Sequence, residues 1–541
     1  MNATMTLATT ETDSPKISAL AGCGFHTLFF LRRNWLRLVV LFVVIVGLTF
    51  VVIAYYQDQF NTPEALAERT ILSDSVGMKA VFGAVTSSGM GGAIWAEMWM
   101  FLTIMLAIGC IFLVTRTNRA DEEQGRTELL RSRPISRQAG LAATVIVMVV
   151  LLALIAGGVA LAFIVNEVDT KGGGVNTSLL MGASISGVAL AGVGIALVVN
   201  QITVTSRQAN AVSLAVLGGF YAIRAIGDLK ETKLTWLSPI GWGEKMDPWG
   251  NNLWWPLALL TGFFLLCAVI AFWLQVRRDY GSGIILSESG PEHATGWITG
   301  ELRLTLHLGR TTAIAWIVGL LLWGLLIGSI LNDMKGLSEQ LAPISGGASL
   351  DSTIALWVRL TALIVAALVA QQILTLTADE ERGLLEARLA TSISRLRVLA
   401  ARLTFTALLV IIALIASGLI MGVIYGTTIS DMEWVGKLTI AALAYLPSLA
   451  VVAGFAVFCF GWISRISTPV TWAFVGVAWI ISMIGNMLKI PQDILDIIPF
   501  TAPDLPATDP TIQVILMTCA VAIALLLVGY VGFRKRGISA L

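Results

Sequence analysis

A chain of 541 residues that is 56% hydrophobic and only 13% charged falls far below the roughly one-quarter charged content of soluble domains. That excludes an ordinary soluble enzyme and points to a polytopic membrane protein. A formal net charge of +1 gives no footprint for nucleic acid. Cys23 precedes the first apolar run, and Cys110, Cys267, Cys459 and Cys519 lie inside later ones, so no disulfide framework is expected.

Residues 17–37 mix apolar and basic side chains. They read either as an amphipathic helix along the inner leaflet or as an extension of the first span. The first apolar run is too long for a signal-peptide core and lacks a cleavage site, so it should stay as an anchor. A helix needs about 20 apolar residues to cross a bilayer, and twelve segments qualify: 36–56, 94–115, 139–165, 179–202, 208–228, 253–276, 312–332, 353–377, 398–425, 436–462, 467–488 and 511–533. With both termini in the cytoplasm, 24 of the 35 Lys and Arg residues fall on the inner side and 9 on the outer, as the positive-inside rule asks. The expected fold is all-α, with twelve transmembrane helices in a bacterial plasma membrane.

A charged stretch after the second span, ADEEQGRTELLRSRPISR (120–137), recurs after the eighth as ADEERGLLEARLATSISR (378–395). The offset of 258 residues also aligns Ser206-Arg207 with Ser464-Arg465 and Trp99 with Trp357. Two six-span halves in parallel orientation follow: residues 1–278 with an N-terminal amphipathic helix, a Gly- and Ser-rich cytoplasmic linker at 279–296, and residues 297–541. In each island the Asp is expected to cap a short helix of about three turns, with Glu in its first turn where the macrodipole favours it. Gln124 adds a capping box to the first copy. Ser136 and Ser394 are placed to cap the spans that follow. A solvated connector needs only polarity, whereas these islands keep acidic, Gly and Glu positions in register. They therefore read as docking helices for a soluble partner.

No GxxxxGK[ST] motif is present, so the chain holds no P-loop of its own. Three histidines and no HExxH argue against metal chemistry. Mid-membrane positions are nearly free of ionisable groups, against the requirement of a proton-driven pump. Arg224 and Asp228, one turn apart, form a local pair. Glu97 and Arg359 are without charged counterparts in the other half. They either pair across the pseudo-twofold axis to close an outer mouth, or reach separately toward headgroups. Trp95, Trp99 and Trp357 belong to an outer aromatic belt. Together with Phe220 and Tyr221 they are candidate substrate contacts. Pro447 should kink the tenth span.

The six-span half, the short cytoplasmic helix after span two, the acidic-Gly-x-x-Glu and Ile-Ser-Arg loop, and Leu237-Ser238-Pro239-Ile240-Gly241-Trp242 before the last span resemble the permeases of ABC-2-type exporters. Two fused halves, with the run from Arg277-Arg278 to Gly283 at their junction, look like the actinobacterial polyketide-antibiotic, tetronasin-type exporter permeases. The resemblance implies an ATP-driven exporter of amphipathic drugs working by alternating access. The chain itself would hold no cofactor and no catalytic residue. ATP and Mg would be bound by two copies of a separate P-loop nucleotide-binding subunit. The coupling role carries to Asp121, Glu122, Glu123, Gly125, Glu128, Leu129 and Leu130, and to Asp379, Glu380, Glu381, Gly383, Glu386 and Leu389. Ser392 stands where the first copy has Pro134, and Ala387-Arg388 where it has Leu129-Leu130, so two docking sites of unequal strength are expected.

Two other classes share parts of this pattern. A major-facilitator secondary transporter also has twelve spans and a repeated charged loop, but that loop is shorter and pairs one Asp with basic residues. A lipid-linked glycosyltransferase would need paired carboxylates in a sizeable outer loop, and only Asp493 and Asp496 are close.

Overall fold

Long apolar runs can satisfy their backbone groups in lipid only as helices or closed barrels. Helix is the regular structure found throughout the described part of the computed structural model, which covers residues 21–60, 62, 87, 89–126, 135–168, 174–229, 232–278, 283, 296–341, 350–484, 500, 505 and 512–537. Among these residues eleven helices are long and apolar enough to cross a membrane. The other expected span, 467–488, is a helix over Ser467–Ile484, and its remaining residues lie outside the described set. The protein is an all-α polytopic membrane protein. It divides into two compact units, Met1–Ser289 and Gly290–Leu541.

In the first unit the helices are α1 (Cys23–Gln59), α2 (Met90–Thr115), α3 (Ala139–Val165), α4 (Gly174–Ile202), α5 (Ser206–Leu229), the short α6 (Pro239–Glu244) and α7 (Trp255–Arg277). The centre is α4, which packs against α2, α3 and α7. Glycine makes this possible: a Cβ on Gly182 would lie 2.1 Å from the carbonyl oxygen of Ala156 in α3, and one on Gly194 would lie 3.0 Å from Cys267 in α7. Small residues give close approach between membrane helices, where lipid supplies no hydrophobic drive.

The second unit comprises α8 (Glu301–Leu341), α9 (Leu350–Glu381), the short α10 (Leu384–Leu389), α11 (Arg395–Ile429), α12 (Glu433–Leu443), α13 (Leu446–Trp462), α14 (Ser467–Ile484) and α15 (Ile512–Lys535). The largest packing interfaces are α13 on α15 and α8 on α11. The expected break at Pro447 is present: the tenth span is two helices, α12 and α13, with Pro447 in the first turn of α13. The matching part of the first unit is the unbroken α4.

Among the described residues no separate amphipathic helix stands at the start of either half. Cys23–Gln59 is one helix of 37 residues, and Glu301–Leu341 one of 41. No proline interrupts either sequence, so the basic segment prolongs the span. Residues 1–20 and most of 279–296 lie outside the described set.

Candidate functional site

Both charged islands sit at one end of their unit, and their acidic residues close the second span instead of opening a new helix. In the second unit α9 runs unbroken through Asp379, Glu380 and Glu381. In the first, α2 continues through a wide turn at Arg116–Ala120 into Asp121–Glu123. The break comes at the shared glycine, with φ +68° at Gly125 and +72° at Gly383. Only glycine takes this left-handed conformation without cost, and nothing lies within 4 Å of a Cβ at either position, so the backbone alone demands it. The expected Asp cap and the Gln124 capping box are therefore absent. Acidic groups at a helix C-terminus oppose the macrodipole, and their compensation comes from arginines of other helices.

Those arginines repeat. Arg278, just past α7, places Nη2 2.9 and 2.7 Å from the two carboxylate oxygens of Glu122. Arg536, just past α15, reaches Glu380 with Nη1 at 2.7 Å and Nη2 at 2.8 Å. Both pairs span 156 residues, so one clamp joins the second and last spans in each unit. The Glu122 side chain is 6% exposed and that of Glu380 3%, which places both inside the unit instead of on a surface offered to a partner. Glu122 also holds Arg119 at 3.0 Å, and Arg119 Nε donates to the carbonyl of Val204 at 2.7 Å. Glu123 accepts from the backbone N–H and hydroxyl of Ser206, at 3.0 and 2.7 Å, capping the start of α5. Asp121 pairs with Arg33 of α1 and with Arg126. Asp379 takes Arg388 at 3.2 Å and Arg402 at 3.9 Å, and Arg388 also reaches Glu301 at the start of α8.

Past Gly383, α10 is six residues long, shorter than the three turns expected. Leu385 is fully buried and Leu389 packs beside it, against a cluster that includes Leu376, Phe460 and Phe533. Leu384 is 47% exposed, and Glu381, Glu386 and Ala387 face outward with it. Ser394 caps α11 by accepting from Arg397 N–H at 3.3 Å. Ser136 accepts from Gln138 N–H at 3.2 Å in the turn before α3. Glu128, Leu129 and Leu130 lie outside the described residues.

The residues expected at an outer gate are held in their own units, at the end opposite the islands. Glu97 is buried and accepts from the Tyr56 hydroxyl at 2.6 Å. Arg359 donates to the carbonyl of Ser482 at 3.1 Å. Trp99 is 1% exposed; its Nε1–H donates to Ser184 Oγ, which donates to the carbonyl of Gly243, both at 2.8 Å. Trp95 is buried beside it, Trp357 packs near Trp323, and Phe220 meets Phe263 edge to face. Tyr221 is half-buried. Arg224, fully buried, forms the expected pair with Asp228 at 2.6 Å and also meets Glu244 of α6 at 2.5 Å. Glu244 was not legible as a partner, because it lies 20 residues on, outside helical spacing. Burial pushes its carboxyl above the ordinary value, against the lowering pull of Arg224.

A groove of about 780 Å³ runs between α1, α2 and the start of α5. Leu36, Val40, Leu41, Met105, Ile108 and Phe112 give it apolar walls, and Arg37 and Arg116 stand at its island end. No residue singled out as a substrate contact lines it. Its members are ordinary span residues, which periodicity does not distinguish.

Comparison with known proteins agrees with this architecture. The family model described as multidrug efflux system permease Rv1217c, C-terminal domain, matches residues 65–274 and 298–534. The multidrug efflux system permease protein Rv1217c of Mycobacterium tuberculosis strain H37Rv is 30% identical over 498 residues, covering 89% of this chain and 88% of the relative. The chain belongs to the multidrug efflux permease family that Rv1217c represents.

Proposed function

We propose that the chain is the membrane-spanning subunit of an ATP-driven exporter of amphipathic drugs or antibiotics, of the ABC-2 type and close to its tetronasin-type branch. Two P-loop nucleotide-binding subunits on separate chains, carrying ATP and Mg, would dock at the island ends, which face the cytoplasm together with both termini. The observation that supports this reading best is the repeated clamp, Glu122–Arg278 and Glu380–Arg536. A docking surface can drive transport only if a push on it moves whole spans. Here the end of the second span is tied to the last span in both units, and in the first unit Glu123 ties it to the start of α5 as well. The clamped glutamates would transmit force, while exposed Leu384, Glu386 and Glu381 would make the contact. Alternating access would follow from moving these joined spans around the groove, whose volume lies in the range of drug-sized pockets, about 300–1,000 Å³.

The test is reconstitution in proteoliposomes with the P-loop subunit that co-purifies. Drug-stimulated ATP hydrolysis should fall about ten-fold in a Leu384→Asp, Glu386→Lys variant that retains its thermal stability. Unchanged coupling in that variant removes the docking assignment. A secondary transporter draws some support from the buried Arg224, Asp228 and Glu244 cluster. Uptake into inverted vesicles driven by a pH gradient without ATP would favour it.

A further inference from the structure

The two island ends share their clamp but differ in what fills the space beside it. In the first unit a cavity of about 90 Å³ lies among the starts of α1 and α3, the end of α2 and the ends of α4 and α7. Asn118, Asn200, Gln201 and Gln275 contribute to its wall. At the same offset of 258 the second unit carries Leu376, Phe458, Cys459 and Phe533. There Phe533 is 1% exposed and packs on Phe460, with ring centroids 5.0 Å apart and the rings tilted by 46°, within an apolar cluster. The four amides are therefore not a requirement of the fold, although the second unit keeps charge nearby in buried Arg402 and its partner Asp379.

Its chemistry is specific. Five guanidinium groups border it, from Arg33, Arg119, Arg126, Arg137 and Arg278, against two carboxylates, Asp121 and Glu122. Each carboxylate already meets two of those arginines, so the lining carries a positive excess. Asn200 and Gln201 are 1% and 2% exposed, and the Oδ1 of one and Oε1 of the other have no hydrogen-bond partner; nor has Gln275 Oε1. A buried acceptor left unmade is costly. A ligand that satisfies the lining thus brings negative charge for the arginines and hydrogen-bond donors for the amides. At about 90 Å³ the space is too small for a drug, which needs about 300 Å³ or more, and admits a small polar group.

We propose that this cavity is a binding site for a phosphate-bearing polar group that also donates hydrogen bonds, as phosphoethanolamine and phosphoglycerol do. Arginine is the side chain suited to phosphate. α1 borders the cavity through His26, Phe29, Phe30, Arg33 and Asn34, and its other face is apolar and exposed at Phe25, Leu28, Leu31 and Trp35, which sets the site beside a helix suited to meet lipid headgroups. The second unit carries none of the four amides at the equivalent positions, so occupancy would act on the clamp of the first half.

The experiment uses the purified full chain in detergent, with binding followed by native mass spectrometry and thermal stability. The probes are dihexanoyl phosphatidylethanolamine, phosphatidylglycerol and phosphatidylcholine, and inorganic phosphate. The first two should bind and stabilise, and phosphatidylcholine, whose choline lacks a donor, should bind about ten-fold more weakly. A Gln275→Phe, Gln201→Cys variant, built from residues the second unit already carries, should lose lipid binding by about ten-fold or more. Arg137→Gln, at an exposed position, should weaken binding while leaving ligand-free stability unchanged. Equal stabilisation by inorganic phosphate alone would support the phosphate site and assign it to the free ion. No phosphate-dependent effect, or binding untouched in both variants, would overturn the proposal and leave a hydrated cavity.

Discussion

Replacing the clamp arginines separately, Arg278→Gln and Arg536→Gln, should not cost the two units equally. Glu122 keeps Arg119 at 3.0 Å when Arg278 is removed, so the loss is one set of charge-assisted hydrogen bonds, about 2 kcal/mol. Glu380 is 3% exposed, and among the described residues Arg536 is the cation paired with it. Its removal strands a buried carboxylate, which typically costs about 3–5 kcal/mol. Thermal unfolding in detergent, with fluorescence reporting each unit, should show the larger drop for Arg536→Gln, by about 2–4 °C per kcal/mol at this unit size. The penalty comes from the stranded charge more than from the lost contact. Adding Glu380→Gln to Arg536→Gln should therefore recover more than half of it, although Glu380→Gln alone is itself destabilising. Equal losses for the two arginine variants, or no recovery in the double variant, would refute this account of the clamp.

Gly383→Ala should destabilise by about 1–2 kcal/mol, the cost of a left-handed non-glycine residue, with Gly383→Asn milder because asparagine tolerates that region; thermal melts of the two variants check the order. Trp99→Phe removes the donor to Ser184 without emptying the site, and should lower the melting point by the equivalent of about 1 kcal/mol. Narrowing the groove with Val40→Trp should reduce drug efflux from whole cells while leaving purified-protein stability within about 1 kcal/mol, since Val40 is 50% exposed. For Glu244 the carboxyl value is raised from 4.5, so between that value and the raised one the folded state holds more protons than the unfolded state. Its contribution to stability is then fullest at low pH and declines as pH rises through that window. Glu244→Gln should flatten this part of a stability-against-pH profile measured in detergent.

Membrane character, span positions and the repeat were legible because each rests on composition, run length or local identity. The break at Pro447 was legible for a similar reason: a missing N–H acts where it stands. The island was read correctly as a distinctive element but misread in detail. Asp-Glu-Glu looks like a helix start by local grammar, and it became a helix end because Arg278 and Arg536, 156 residues away, offset the unfavourable dipole. Ion pairs between distant helices leave no periodic trace in a sequence. The aromatic residues misled for a related reason. Trp95 and Trp99 have the composition of an interfacial belt, yet neighbouring helices bury them, and burial depends on packing that hydropathy does not record.

The contrast between Gln275 and Phe533 bears on how such a chain can evolve. In a homodimer every substitution is made twice, so a polar cavity gained in one subunit appears in the other as well. A single reading frame that encodes both halves lifts that constraint. It lets one half keep a buried aromatic residue where its twin sets an amide beside a pocket, and it does so without disturbing the glutamate–arginine pair retained in each. Asymmetric features in a fused permease are thus places where one copy has been free to acquire a task of its own.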